Sequence, residues 1–109
     1  MKKFVVALSA SAALLSVASG SIAQAYPTKP IRMIVPSAPG GGTDIAARLI
    51  AQGLTESFGQ AVVVDNRGGA GGLVATEITA RAVPDGYTLL FTSIPHVINP
   101  HLYRKVSYD

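Results

Sequence analysis

Short apolar runs alternate with amphipathic segments along this chain, and that alternation limits the fold more than any other feature. Residues 31–35, 61–64 and 87–91 have the length and the β-branched or aromatic content of buried strands. Residues 43–58 and 72–83, which lie between them, show apolar positions at helical spacing. The order βαβαβ predicts an α/β fold with a parallel sheet and right-handed crossovers.

The order of the strands follows from the need to cover both faces of the sheet. If the first strand lies between the second and the third, the two crossover helices pack on opposite faces and form a three-layer structure. The crevice beyond the carboxyl ends of the strands is then the expected ligand site.

The first two predicted helices each carry an apolar stripe. Thr43 or Asp44 is expected as the N-cap of the first helix, and Gly59 as its stop. The second helix ends before a turn at residues 84–86. The apolar residues expected to face the sheet are Ile45, Leu49, Ile50, Leu54 and Phe58 in the first helix, and Val74, Ile78 and Ala82 in the second.

A third, shorter helix is expected after the last strand. Asn99 followed by Pro100 resembles an N-cap with proline at the first helical position, so this helix would begin there and extend through Tyr103.

Residues 1–25 have the composition of a secretory signal peptide. Two lysines at positions 2–3 precede an apolar stretch over residues 4–18, and Ala-Gln-Ala at residues 23–25 offers a small-x-small cleavage pattern. Such an apolar stretch reaches only ~22 Å as a helix, which is short of the ~30 Å core of a bilayer. The sequence therefore predicts export and cleavage after Ala25.

The charge balance argues against a nucleic-acid or anionic-lipid partner. The chain has nine Lys and Arg residues and six Asp and Glu residues, a formal charge of +3. Removal of Lys2 and Lys3 with the leader leaves seven basic and six acidic residues, a charge of +1. Phosphate backbones require clustered cations, which this balance does not supply. The chain has no cysteine, which excludes thiol catalysis and cysteine metal sites.

Two glycine-rich loops follow the first and second predicted strands and open the helices. Residues 39–44 read Pro-Gly-Gly-Gly-Thr-Asp, and residues 66–72 read Asn-Arg-Gly-Gly-Ala-Gly-Gly. Unpaired N–H groups at a helix N-terminus can hold a carboxylate or a phosphate without a lysine, and glycine lets the ligand approach closely. The alternative is that the glycines only serve tight strand-to-helix turns. Arg67 either reaches an anion or bonds neighbouring carbonyls.

Several side chains near these loops have both a structural and a ligand-binding interpretation. Asp44 and Thr43 either cap the first helix or orient water or an amino group on the ligand. Thr92 and Ser93 end the third strand, where their hydroxyls are placed to face the crevice. His96 follows that strand, and we include it among the predicted ligand contacts.

No motif for catalysis or for a nucleotide cofactor is complete. The Walker lysine is missing after Gly42, and Val74 stands where a dinucleotide fingerprint has its third small residue. His96 and His101 are not spaced as metal ligands on one helix face, and no nucleophile elbow or carboxylate pair is present. We predict a binding protein with no cofactor, no metal and no catalytic residue. The alternative is a small α/β nucleotide-binding or enzymatic domain.

A series of motifs carries a resemblance to a known family. They are Tyr26-Pro27-x-Lys29-Pro30-Ile31-Arg32, Val35-Pro36, residues 39–44, Asn66-Arg67 with residues 69–72, Pro84-Asp85-Gly86-Tyr87-Thr88-Leu89, and Ile98-Asn99-Pro100-x-Leu102-Tyr103. In this order and spacing they resemble the substrate-binding proteins of tripartite tricarboxylate transporters, also called Bug receptors.

The resemblance implies a periplasmic, two-lobed, type II binding-protein fold that closes around a small organic acid and delivers it to membrane permease subunits. Residues 26–109 would form the N-terminal part of the first lobe without the second, and so would lack half of the contacts made on hinge closure. The ligand contacts it implies, partly through water, are Gly41, Gly42, Thr43 and Asp44 for the carboxylate, with Ala70, Gly71, Thr92 and Ser93 completing the wall.

Two positions depart from the family pattern. Gly68 stands where proline is usual, which should loosen the second loop. Ser37 stands where an aromatic residue is common, which affects one wall of the pocket.

Overall fold

A computed structural model of the chain describes residues 23–106 and 108. The predicted leader falls mainly on residues 1–22, outside the described residues, so its cleavage stays a prediction. None of the helices in the described ranges is long and apolar enough to cross a bilayer. The elements are strands β1 (Ile31–Val35), β2 (Val62–Asn66) and β3 (Thr88–Leu90), helices α1 (Gly42–Phe58), α2 (Leu73–Ala80) and α3 (Ile94–Leu102), and a 3₁₀ turn at Ala70–Gly72.

The three strands form a parallel sheet in the order β2-β1-β3, which confirms the predicted order. Strand β1 has the predicted bounds, and those of β2 and β3 differ from the predicted ones by one or two residues. Met33 and Val35 of β1 pack with Ala47 and Ala51 of α1 on one face. Because successive strand residues alternate between faces, Ile34 lies on the other face, where it is fully buried and α2 covers the sheet.

The face of α1 that packs on the sheet is not the predicted one. Ala47 is fully buried, Ala51 is 4% exposed, and Leu54 is partly buried against the core. These small alanines let the helix approach the branched side chains of the sheet closely. The other residues of the predicted stripe are exposed, and they are Ile45, Leu49, Ile50 and Phe58.

The ends of α1 agree with the sequence at one end only. Gly59 has a left-handed conformation (φ 67°) and its N–H donates to the Thr55 carbonyl, which confirms the predicted stop. Gly41 is the N-cap, so the prediction of Thr43 or Asp44 as the cap is wrong. The Asp44 side chain instead accepts a hydrogen bond from the N–H of Gly40, one residue before the cap.

The second helix is shorter than predicted and packs through small residues. It begins after Gly72, whose φ of 89° ends the preceding loop, and stops at Ala80. Ala75 is fully buried and Thr76 is 6% exposed, whereas Val74 of the predicted stripe is 39% exposed. The start of α2 lies close to the end of β1, where a large side chain would not fit: a Cβ on Gly72 would lie 3.3 Å from that of Pro36.

Helix α3 begins at Ile94, five residues before the predicted start at Asn99. Pro100 therefore lies inside the helix, where it lacks the N–H that would bond the His96 carbonyl. The Tyr108 hydroxyl donates to that carbonyl at 3.0 Å. This bond satisfies the oxygen and permits proline at an internal position.

Candidate functional site

The two glycine-rich loops meet at the carboxyl ends of β1 and β2. A Cβ on Gly68 would lie 3.7 Å from backbone atoms of both Ser37 and Ala38. Asn66, the last residue of β2, donates from Nδ2 to the Ser37 carbonyl at 3.1 Å. Both loops therefore border the crevice that parallel strand polarity predicts.

Asp44 is buried in the first turn of α1, and three donors occupy its carboxylate. Oδ2 accepts from the Gly40 N–H and from Arg48 Nε, each at 2.9 Å, and Oδ1 accepts from Asn66 Nδ2 at 2.9 Å. These bonds, led by that of Arg48, lower the pKa of Asp44 to about 2. The carboxylate thus braces the loop against the helix and β2, and a contact with ligand stays a prediction.

The first turn of α1 presents backbone amides without a side-chain cap. Gly41 is the N-cap and makes no side-chain cap bond, and the first helical bond runs from the Ile45 N–H to the Gly41 carbonyl at 3.0 Å. The N–H groups of residues 42–44 therefore precede the hydrogen-bond ladder. The positive end of the helix dipole adds to them, so this turn can hold an anion.

Gly41 and Gly42 differ from Gly40 in having no conformational need for glycine. Gly40 has φ 86°, which favours glycine, whereas Gly41 has φ −76° and Gly42 is helical. A Cβ on Gly42 would meet no atom within 4 Å, and one on Gly41 would lie 3.6 Å from the Ala38 carbonyl oxygen. The fold therefore leaves open space at Gly42 and room for a small side chain at Gly41.

A cavity of about 180 Å³ lies between the second loop and the start of α3. It brings together four of the predicted contacts, which are Gly71, Thr92, Ser93 and His96. The other lining residues are Pro36, Gly69, Gly72, Thr76 and Pro95. Of the remaining predicted contacts, Gly41, Gly42, Thr43 and Asp44 lie at the start of α1, and Ala70 lies on a separate surface with Leu73 and Val74.

Two buried polar side chains that the sequence reasoning missed hold the second loop in place. Asn99 is 4% exposed and donates from Nδ2 to the Gly71 carbonyl at 2.9 Å. Thr76 donates from its hydroxyl to the Gly72 carbonyl at 3.0 Å. Asn99 stood in a quoted family motif, but Thr76 had no signal in the sequence beyond its place in a helix.

The remaining charged candidates lie outside the cavity lining. Arg67 directs its guanidinium to Asp65, with Nε 3.0 Å from Oδ1, and not to loop carbonyls. Arg32 binds the same carboxylate, and the two arginines, Arg32 first, lower the pKa of Asp65. His101 is exposed in the last turn of α3. Across residues 23–106 and 108, no three metal-ligating side chains cluster.

The Ser37 hydroxyl lies where the two loops touch. Its oxygen is buried and has no hydrogen-bond partner within the described part of the chain. Ser37 therefore places a hydroxyl group beside Gly68 that forms no hydrogen bond with the described residues.

Residues 46–109 match the family model of the tripartite tricarboxylate transporter family receptor. The chain belongs to this family. Its relatives in this receptor family include Protein BugT of Bordetella pertussis, which is 46% identical over 98 residues, covering 88% of this chain and 30% of BugT. The resemblance to the Bug receptors is thereby confirmed.

Two solved structures show the same fold over the shared region. Rpa4515 of R. palustris, solved with adipate, is 41% identical with a TM-score of 0.70, covering 77% of this chain and 28% of that one. MatC of Rhodopseudomonas palustris, solved with bound malate, is 42% identical with a TM-score of 0.57, covering 60% and 22%. The family is one of periplasmic solute-binding proteins, and this chain spans less than a third of these relatives.

Proposed function

We propose that this chain is the N-terminal part of the first lobe of a periplasmic receptor that binds a small carboxylated solute. Its membership of the receptor family supports this, as do the two relatives solved with adipate and with malate. The observation that carries the proposal is the open, uncapped first turn of α1 at Gly41 and Gly42.

In the proposed complex, the carboxylate lies against the N–H groups of residues 42–44, directly or through water held by Thr43. Backbone amides and the helix dipole supply the positive potential, since Arg48 is committed to Asp44. The Gly71 loop and the hydroxyls of Thr92 and Ser93 form the neighbouring wall. Asp44 acts by fixing the loop.

Binding without catalysis is part of the same proposal. The residues that line the cavity are mainly glycine, proline and hydroxyl side chains, which suit recognition by hydrogen bonds. We expect the receptor to pass its solute to membrane permease subunits, to use no cofactor, and to be exported with cleavage after Ala25. In the longer relatives, we expect the additional residues to form a second lobe that closes on the ligand.

Two leucine substitutions at glycines of α1 test this proposal. Gly42→Leu fills the space before the amides, whereas Gly53→Leu, inside the same helix and also with no atom within 4 Å of an added Cβ, leaves the first turn open. In calorimetric titrations of the full chain with adipate and malate, we expect Gly42→Leu to weaken binding at least tenfold and Gly53→Leu to leave it unchanged. Equal effects of the two substitutions, or binding of ATP in place of both acids, would overturn the proposal.

A further inference from the structure

One ring nitrogen of His96 forms a hydrogen bond within the protein. Nδ1 lies 3.4 Å from Oγ1 of Thr76. The Thr76 hydroxyl donates its single proton to the Gly72 carbonyl at 3.0 Å, so its oxygen is left to accept from the ring. In the neutral imidazole, Nδ1 then carries the proton and Nε2 carries a lone pair.

The ring of His96 is also held in orientation. Tyr108 stacks on it with ring centroids 4.8 Å apart and planes inclined by 18°. The Tyr108 hydroxyl donates to the His96 carbonyl, which is free because Pro100 has no N–H. A fixed ring presents Nε2 in one direction, as a specificity-determining group requires.

The cavity that His96 lines offers no charged partner. Its lining contains no carboxylate, lysine or arginine among the described residues. A positively charged group of a ligand would find no carboxylate in this lining. Thr92 and Ser93 add neutral hydroxyls to the same lining.

We propose that Nε2 of His96 accepts a hydrogen bond from a hydroxyl group of the ligand, so that the receptor selects hydroxy acids over unsubstituted acids. The inference rests on the proposed function, in which the carboxylate occupies the start of α1. A neutral acceptor and two neutral hydroxyls suit an alcohol group, which both donates and accepts. A site built this way discriminates against a ligand that lacks the hydroxyl, because Nε2 is then left without a partner.

Malate and succinate test this inference, since they differ by one hydroxyl group. In calorimetric titrations of the full chain, we expect malate to bind roughly tenfold more tightly than succinate, as one additional hydrogen bond allows. His96→Phe should abolish the preference, so that malate binds no more tightly than succinate. His96→Gln, which restores an acceptor, should retain part of the preference, and His101→Phe on the exposed part of α3 should retain all of it.

Equal affinity of the unsubstituted chain for the two acids, or a preference that survives His96→Phe, would overturn the inference and leave the proposed function intact. If malate, succinate and adipate all fail to bind, the proposed function fails and the inference that rests on it fails too. The tautomer of the ring gives a separate test of the inference. A long-range ¹H–¹⁵N spectrum of the full chain at alkaline pH should show the proton of His96 on Nδ1. A proton on Nε2 would overturn the inference.

Discussion

Asn66 at the end of β2 donates a 2.9 Å hydrogen bond from Nδ2 to Oδ1 of Asp44 in the first turn of α1. The same nitrogen donates to the Ser37 carbonyl at 3.1 Å. One side chain therefore connects the second strand with the first glycine-rich loop and with the helix that it opens. The placement of the proposed anion site depends on this connection.

Loss of the Asn66 side chain should destabilise the fold. Asn66→Ala removes a donor from a buried carboxylate, and we expect the free energy of unfolding to fall by about 1–3 kcal/mol. Urea denaturation measures this. Gln52→Ala removes an exposed bond to Glu56 and should change the same quantity by less than about 0.5 kcal/mol. Similar losses in the two variants would contradict the role assigned to Asn66.

Acid should weaken the fold through Asp44. Its pKa is about 2 in the folded chain against an ordinary value of 3.8, so the unfolded chain takes up the proton first as pH falls. The stabilisation is complete above about pH 4 and is lost between there and about pH 2. Asp65, whose pKa is also lowered, acts in the same direction. The urea midpoint should fall across this range, less steeply in Asp44→Asn, and identical slopes would contradict the prediction.

Neighbouring glycines of the first loop should respond differently to alanine. Gly40 has φ 86°, so Gly40→Ala should cost about 1–2 kcal/mol. Gly42 is helical and an added methyl group meets open space, so Gly42→Ala should be neutral or stabilise by up to about 1 kcal/mol. Thermal denaturation distinguishes the two. A comparable loss at both positions would mean that Gly42 serves the turn itself.

The packed face of α1 can be tested from both sides. Leu49 is 67% exposed, so Leu49→Gln should change the free energy of unfolding by less than about 0.5 kcal/mol. Ala47 is fully buried against the sheet, and Ala47→Leu should overpack the contact at a cost of about 1–3 kcal/mol. Urea denaturation of both variants decides between the faces, and the reverse ranking would restore the stripe that the sequence predicted.

The strand order could be predicted because βαβαβ alternation and two-sided coverage leave few topologies. The packed face of α1 could not, because the helix has two apolar faces. One carries Ile45 and Leu49, and the other carries Ala47 and Ala51. Hydrophobic spacing favours the larger side chains, whereas close packing on a sheet of branched residues selects the alanines.

The candidate site, too, could be predicted from the sequence only in part. Glycine-rich segments between strand and helix predicted the two loops, since such segments have a local signal. The bonds of Asn66 to Asp44 and of Asn99 to Gly71 join residues 22 and 28 positions apart, and no local pattern indicates them. The start of α3 was predicted wrongly because Asn99 and Pro100, which resemble an N-cap followed by proline, lie within the helix.

The amides of α1 themselves provide the most direct test of the central claim. In ¹⁵N–¹H spectra of the full chain titrated with adipate, against chloride at equal ionic strength, the N–H signals of Gly42 and Thr43 should shift progressively and saturate. The signal of Gly53, farther along the same helix, should not move. Shifts of equal size at Gly42 and Gly53, or saturation confined to residues outside the two glycine-rich loops, would contradict the claim that the first turn of α1 holds the carboxylate.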